Sequence, residues 1–336
     1  MQEFQYQCAE GSFTYIRQGR GLTIIGYQGL AGHVEIPGEL PWEKAGEVVC
    51  FRAESIGKQE ADAKGEGEML PVTGIGKKVF LSKKFLRSVL VPACVEEIGD
   101  WAFAYCDSLR EVHFGGRDMH FGKDVFLQCP RLQGLYFAEK QAEKEDGEGH
   151  EMTDMQGVAA LLAAAVTQMG SPYLLDAAEA GSAKWLEKWD ARMLAILHSP
   201  DDEGYSKQIL CGEEDYESAD LETYLANSRK KKVRLLLLRL LYPMGLPKAQ
   251  EKDLKSYLLE HTKGGESEET WQVIRDECGD RRELYELFAG LGCFTGENAA
   301  AIIAETPQEY PEMKAYFLKY QADHFTEGDF FGNLEL

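Results

Sequence analysis

Cys106 and Cys129, with His113 and His120 between them, are the cysteines and histidines of this 336-residue chain that make a metal site conceivable. Zinc needs ligands at characteristic short spacings. The intervals here, Cys106-x6-His113 and His120-x8-Cys129, match none of them. Eight cysteines (Cys8, Cys50, Cys94, Cys106, Cys129, Cys211, Cys278 and Cys293) contain no CxxC pair, so they outline neither a zinc signature nor a disulfide framework. Reduced, buried thiols are the reading, with no metal and no cofactor. Nucleophilic catalysis finds no Gly-x-Ser-x-Gly elbow and no His-Glu-x-x-His helix. Gly74-x-Gly76-Lys77-Lys78 outlines a phosphate loop, but Pro71 holds the first glycine position and Lys78 the hydroxyl position. One basic cluster, Arg229-Lys230-Lys231-Lys232-Val233-Arg234, runs into Leu235–Leu241. It reads as a helix whose leucines are core and whose cations neutralise the acidic residues at 213–217 and 220–222, in preference to a lipid or nucleic-acid contact. With 36 basic and 57 acidic side chains the net charge is −21, which argues against a protein that neutralises phosphate on nucleic acid or membrane.

The elements that must carry these residues announce themselves by repetition. Three segments superimpose at an offset of 23 residues without gaps. Ile75-Gly76, Ile98-Gly99 and Phe121-Gly122 open them, Phe80, Phe103 and Phe126 follow, then Leu86, Leu109 and Leu132. Each closes on a period-two strand: Val89-x-Val91, Val112-x-Phe114 and Leu135-x-Phe137. A unit this short cannot bury its apolar face alone, so neighbours must stack with their strands parallel. Val34-x-Ile36-Pro37 matches Val89-x-Val91-Pro92 as an earlier strand, after which an insertion at about 38–70 breaks the register. Its portion from Gly57 to Glu68 reads as mobile.

The phrase Ile98-Gly99-Asp100-Trp101-Ala102-Phe103-Ala104-Tyr105-Cys106-Asp107-Ser108-Leu109 resembles the BspA type of leucine-rich repeat. The resemblance runs from the Ile24-Ile25-Gly26-Tyr27 strand to Phe137. It implies a parallel-stranded coil in which the recurring cysteine packs inside. Lys83 departs from the pattern, standing where the later repeats carry Cys106 and Cys129. Members of this family are often bacterial surface proteins with adhesive roles. The start, Met1-Gln2-Glu3-Phe4, shows no basic and apolar leader, and a cytoplasmic location is expected, with the surface as the alternative.

Beyond Phe137 the material changes. Residues 1–138 carry net −3 and residues 139–336 net −18. Helical spacing governs Gly157–Met169, Ala183–Leu197, Ser218–Tyr242, Lys248–His261 and Glu268–Leu291. A second repeat at offset 29 aligns Val273-Ile274 with Ile302-Ile303, Leu284 with Met313 and Leu287-Phe288 with Tyr316-Phe317. This weakly resembles degenerate ankyrin-like helical repeats without their Thr-Pro-Leu-His phrase. The expected fold class is therefore an α/β leucine-rich-repeat solenoid with parallel strands (1–138), an acidic linker (139–155), an all-α helical-repeat domain (156–325) and a tail (326–336).

Strand alternation turns Leu90, His113 and Tyr136 outward as one column and Ser88, Glu111 and Gly134 as a second. Two repeat modules and no catalytic motif imply a non-enzymatic interaction or adaptor protein. Its partner would be a protein or peptide held on that face, with Leu90, His113, Tyr136, Ser88 and Glu111 as contact residues. No nucleic acid and no membrane span are expected. The rivals are an enzyme between the halves, where Cys278, His261, Asp276 or Glu277 would gather, and an inert scaffold subunit.

Overall fold

The computed structural model describes residues 2–42, 50–52, 68–138, 154–205 and 221–325. The first three strands, β1 (Phe4–Cys8), β2 (Gly11–Gln18) and β3 (Gly21–Gln28), form an antiparallel meander. This corrects the expectation that the coil starts at the N-terminus. Two-residue connections at Ala9-Glu10 and Gly19-Arg20 join these strands, and a connection that short permits only an antiparallel neighbour.

Parallel stacking begins at β3. After β4 (His33–Glu35), β5 (Glu39–Trp42) and β6 (Cys50–Arg52), β7 (Glu68–Ile75) lies parallel to β3. Then β9 (Glu97–Ile98) and β11 (His120–Phe121) extend that ladder, placing Ile24, Ile75, Ile98 and Phe121 in one register. The alternating strands β8 (Ser88–Val91), β10 (Glu111–Phe114) and β12 (Gly134–Phe137) build a second ladder in the order β12-β10-β8-β4, with Val34, Val89, Val112 and Leu135 in register. In the insertion, β5 pairs antiparallel with β7, Leu40 opposite Leu70. Most of the stretch read as mobile, residues 57–67, lies outside the described residues.

The 23-residue period is written into the backbone. Among the described residues, left-handed non-glycine conformations fall in two columns, Lys78/Trp101/Asp124 and Ser82/Tyr105/Gln128, at φ from 53° to 62°. Between the ladders, Phe80, Phe103 and Phe126 stack at 5.0 and 5.5 Å with rings within 8° of parallel, continued upstream by Tyr27 and Phe13. Each buried ring is worth about 1.5–3 kcal/mol of apolar burial, and each stacked pair about 0.5–1.5 kcal/mol more. Close backbone approach between rungs requires Gly99 and Gly122. A Cβ there would stand 2.6 Å from the Lys77 and Asp100 nitrogens respectively.

The helices are α1 (Met155–Thr167), α2 (Ala183–Leu197), α3 (Leu221–Leu241), α4 (Lys248–Glu260), α5 (Glu269–Glu277), α6 (Arg282–Gly290), α7 (Ala299–Glu305) and α8 (Pro311–Phe325). Asp154 caps α1, accepting from the Gly157 N–H at 3.0 Å. The apolar, alanine-rich α1 packs on β12, and Trp185 and Trp189 of α2 donate to the Leu174 and Leu161 carbonyls, both at 2.9 Å. The chain thus divides after Arg192 into two units. The sequence puts the boundary at 139–155; the division falls later because α1 covers the last strand of the ladder.

In the second unit α3 is central; Leu235, Leu236, Leu237 and Leu240 are buried, as is Arg239, which donates to the Tyr242 and Met244 carbonyls at the helix end. Glu268–Leu291 corrects to two helices, broken at Cys278–Arg281. Gly279 sits under Tyr310 there, where a Cβ would meet the ring at 2.4 Å. Trp271, Tyr285, Phe288, Phe294 and Phe317 form the aromatic core of this end.

Candidate interaction surface

The ladder β4-β8-β10-β12 sorts its side chains by alternation. Val89, Val91, Val112, Phe114, Leu135 and Phe137 are buried. Leu90 is 45 % exposed, with His113 and Tyr136 beside it in register. His113 stacks on Tyr136 with centroids 4.6 Å apart and planes within 8°. Its Nε2 lies 3.3 Å from a Glu111 carboxylate oxygen, both side chains being 44 % exposed. Glycine at 134 is what lets Tyr136 lie flat along the face: a Cβ there would stand 2.4 Å from its ring. The second outward column, Ser88, Glu111 and Gly134, is also in register.

Strand β4 extends both columns. His33 Nδ1 lies 2.6 Å from Ser88 Oγ, and Glu35 stands opposite Leu90. Sequence reasoning found Val34-x-Ile36 but did not read its outward neighbours, although the same alternation supplies them. The face therefore presents an imidazole–phenol stack and an exposed leucine, edged by two carboxylates and a second imidazole.

The residues nominated for metal chemistry are placed apart. Cys106 and Cys129 occupy equivalent positions, and each thiol donates to a carbonyl of the preceding rung, Phe80 and Phe103, at 3.1 Å. Burial pushes the Cys106 thiol up to about 11 and that of Cys129 to about 12. His113 lies on the outward face, stacked on Tyr136. Where Lys83 replaces the repeat's cysteine, its ammonium lies 5.6 Å above the Tyr27 ring instead. Among the described residues no three or more His, Cys, Asp or Glu side chains gather closely enough to hold a metal ion.

Three cations of the basic cluster are held in ion pairs. Arg229 and Lys232 both bond Asp201, at 2.8 and 2.7 Å, Arg229 also faces Glu269, and Arg234 bonds Glu277. These acids lie elsewhere in the second unit, not in the acidic run just before the helix, most of which (213–217 and 220) lies outside the described residues. Burial opposes ionisation of Asp201, but the hydrogen bonds from Lys232 and Arg229 outweigh it and hold the carboxyl below its ordinary range. The residues named for an enzyme have separate partners. His261 stacks on Tyr257, Asp276 bonds Arg275 and Glu277 bonds Arg234. Burial pushes the Cys278 thiol up to about 11.

Residues 71–146 match the family described as BspA type leucine rich repeat region (6 copies). Among solved structures, a leucine rich cell surface protein from Faecalibacterium prausnitzii is 24 % identical over 40 % of this chain and 30 % of its own, with a TM-score of 0.28. A leucine-rich repeat protein from Bacteroides ovatus is 18 % identical over 37 % of this chain and 27 % of its own (TM-score 0.27). One from Bacteroides capillosus is 20 % identical over 38 % of this chain and 94 % of its own (TM-score 0.26). The chain thus spans under a third of the length of the first two. No curated protein matches. The helical region lies outside the family match, and the comparisons give a cytoplasmic location no support. Among the described residues no helix is long and apolar enough to cross a membrane.

Proposed function

Since residues 71–146 are of the BspA leucine-rich-repeat type, we propose that the chain is a non-enzymatic binding or adaptor protein: a short solenoid whose outer strand face holds a protein or peptide, joined to a degenerate α-helical repeat region. The observation that carries this reading is the in-register column of Leu90, His113 and Tyr136, with Ser88 and Glu111 alongside. Solenoid strand faces are extended surfaces used to hold partners, and aromatic residues with an exposed leucine suit the centre of an interface better than its charged rim. The helical region contributes a second surface, its pairs α5–α6 and α7–α8 repeating at offset 29. Nucleic acid is disfavoured as a partner because three cations of the basic cluster, Arg229, Lys232 and Arg234, are held by carboxylates and the chain carries a net charge of −21.

Replacing Leu90, His113 and Tyr136 together by alanine tests this. All three are surface positions, so the fold should survive with melting within a few degrees of the intact chain. Partners captured from the native cell by the intact chain should be recovered at least about tenfold less by the variant, a loss of about 1.4 kcal/mol or more. Equal recovery would remove the strand face from the mechanism. An enzyme reading is disfavoured by the raised thiols of Cys106, Cys129, Cys278 and Cys293, since an activated cysteine needs the opposite shift.

A further inference from the structure

The edge of the coil that carries the left-handed residues is held by a row of backbone hydrogen bonds outside the strands. The N–H groups of Lys78, Phe80 and Ser82 donate to the carbonyls of Asp100, Ala102 and Ala104. Those of Trp101, Phe103 and Tyr105 donate to Lys123, Val125 and Leu127, all six bonds measuring 2.8–3.0 Å. Every donor points along the stack toward the next rung. The last rung repeats this conformation, with Asp124 and Gln128 both at φ 53°. Its N–H groups at Asp124, Phe126 and Gln128 therefore point out of the end of the stack, and none has an acceptor among the described residues. The Phe126 carbonyl, counterpart of the two that accept cysteine thiols, has no donor there either.

A cleft of about 610 Å³ opens on this end of the stack. Asp124, Phe126 and Leu127 line one side and Pro172, Tyr173 and Ala178 the other. Arg117, also in its lining, has a buried Nη1 without a hydrogen-bond partner. Strand β11, beside it, is the end strand of its sheet. Unpaired backbone donors are exceptional in folded chains, and a regular row of them beside an open cleft is a template for a further segment.

We propose that this cleft binds a linear peptide of repeat sequence as a fourth rung, its alternate carbonyls accepting from the Asp124, Phe126 and Gln128 N–H groups. The molecule shows what such donors hold, because both inner copies of the row are occupied by polypeptide carbonyls three at a time. The cleft falls within the range of about 300–1,000 Å³ of pockets that enclose small ligands, which suits a few residues of single chain and not a folded domain. Recognition through main-chain bonds along a sheet edge is an established way of capturing extended peptides. The surface is separate from Leu90, His113 and Tyr136, so the two readings stand or fall apart.

The probe is a blocked synthetic peptide copying Met119–Gln128, which supplies the carbonyls of Lys123, Val125 and Leu127 in the required spacing. Amide exchange is followed residue by residue in the full chain. Without peptide, the Asp124, Phe126 and Gln128 amides should exchange at least about tenfold faster than those of Trp101, Phe103 and Tyr105, and peptide should slow them by about tenfold. Ala178→Trp, at an exposed position facing into the cleft, and Leu127→Asp as an independent block should each abolish that slowing. The Leu90, His113 and Tyr136 triple alanine should leave it intact. The proposal is overturned by slow exchange of the three amides in the free chain, or by no slowing at about 1 mM peptide. Slowing that survives both blocking variants overturns it too, as does protection that rises with protein concentration alone, which would put a second copy on this end.

Discussion

Cys106 and Cys129 owe their inertness to where the repeat puts them. A thiol buried away from water has little to stabilise its anion, and its rise to about 11 at Cys106 and about 12 at Cys129 follows. With a thiol probe in native buffer near neutral pH, both should react at least about a hundredfold more slowly than after unfolding; mass mapping of labelled peptides reads this out. Outside the coil, Gly134 controls Tyr136. Gly134→Ala should tip the ring off the face and separate it from His113, forfeiting about 0.5–1.5 kcal/mol of ring interaction while leaving the buried Leu135 and Phe137 in place. Loss of the ring-current shift on the His113 protons would show it; an unchanged shift would mean that the ring slides without leaving the stack. The outward columns were legible from alternation alone, because period two is a local property of a strand. The His113–Tyr136 stack was not legible, since it depends on a glycine two residues before the tyrosine and on the pairing of two strands.

At the scale of elements, α3 is held to the turn after α2 by Asp201, which faces both Arg229 and Lys232. The Lys232 side chain is 5 % exposed, so removing its counter-charge strands a cation. Asp201→Asn should destabilise the second unit by about 3–5 kcal/mol, the range for breaking a buried pair by one partner. The same pairing fixes the direction of acid sensitivity. Because the folded Asp201 carboxyl lies below its ordinary 3.8, its contribution is complete above that pH and drains away as pH falls through the lower folded value. Acid titration followed by denaturant melts should show the stability gap between the intact chain and the Asn variant narrowing as pH falls below about 3.8. The sequence identified the cluster's helix and its leucines by spacing. It could not choose the partners, because Asp201 and Glu277 come from positions 31 and 43 residues away from the side chains they pair with.

For the whole molecule, the decisive contact is α1 on β12. A stack of rungs ends on an apolar face that must be covered, and here a helix beyond an acidic stretch covers its β12 side and leaves the side of Asp124 to Gln128 open to the cleft. A fragment ending at Ala138 should expose that end and aggregate, whereas one ending at His198, which retains α1 and the Trp185 and Trp189 anchors, should stay dispersed; light scattering distinguishes them. By itself the sequence determined the rung period, the parallel register of Ile75, Ile98 and Phe121, the inward faces and the helical nature of the second half, because each is a periodicity that recurs within a few tens of residues. Only the tertiary structure decided that β1, β2 and β3 run antiparallel, that α1 belongs with the strands, which carboxylates meet which cations, and that the backbone donors of the last rung find no acceptor among the described residues. Those outcomes depend on which distant surfaces meet, and the free energy of such meetings is shared between segments that no local pattern connects.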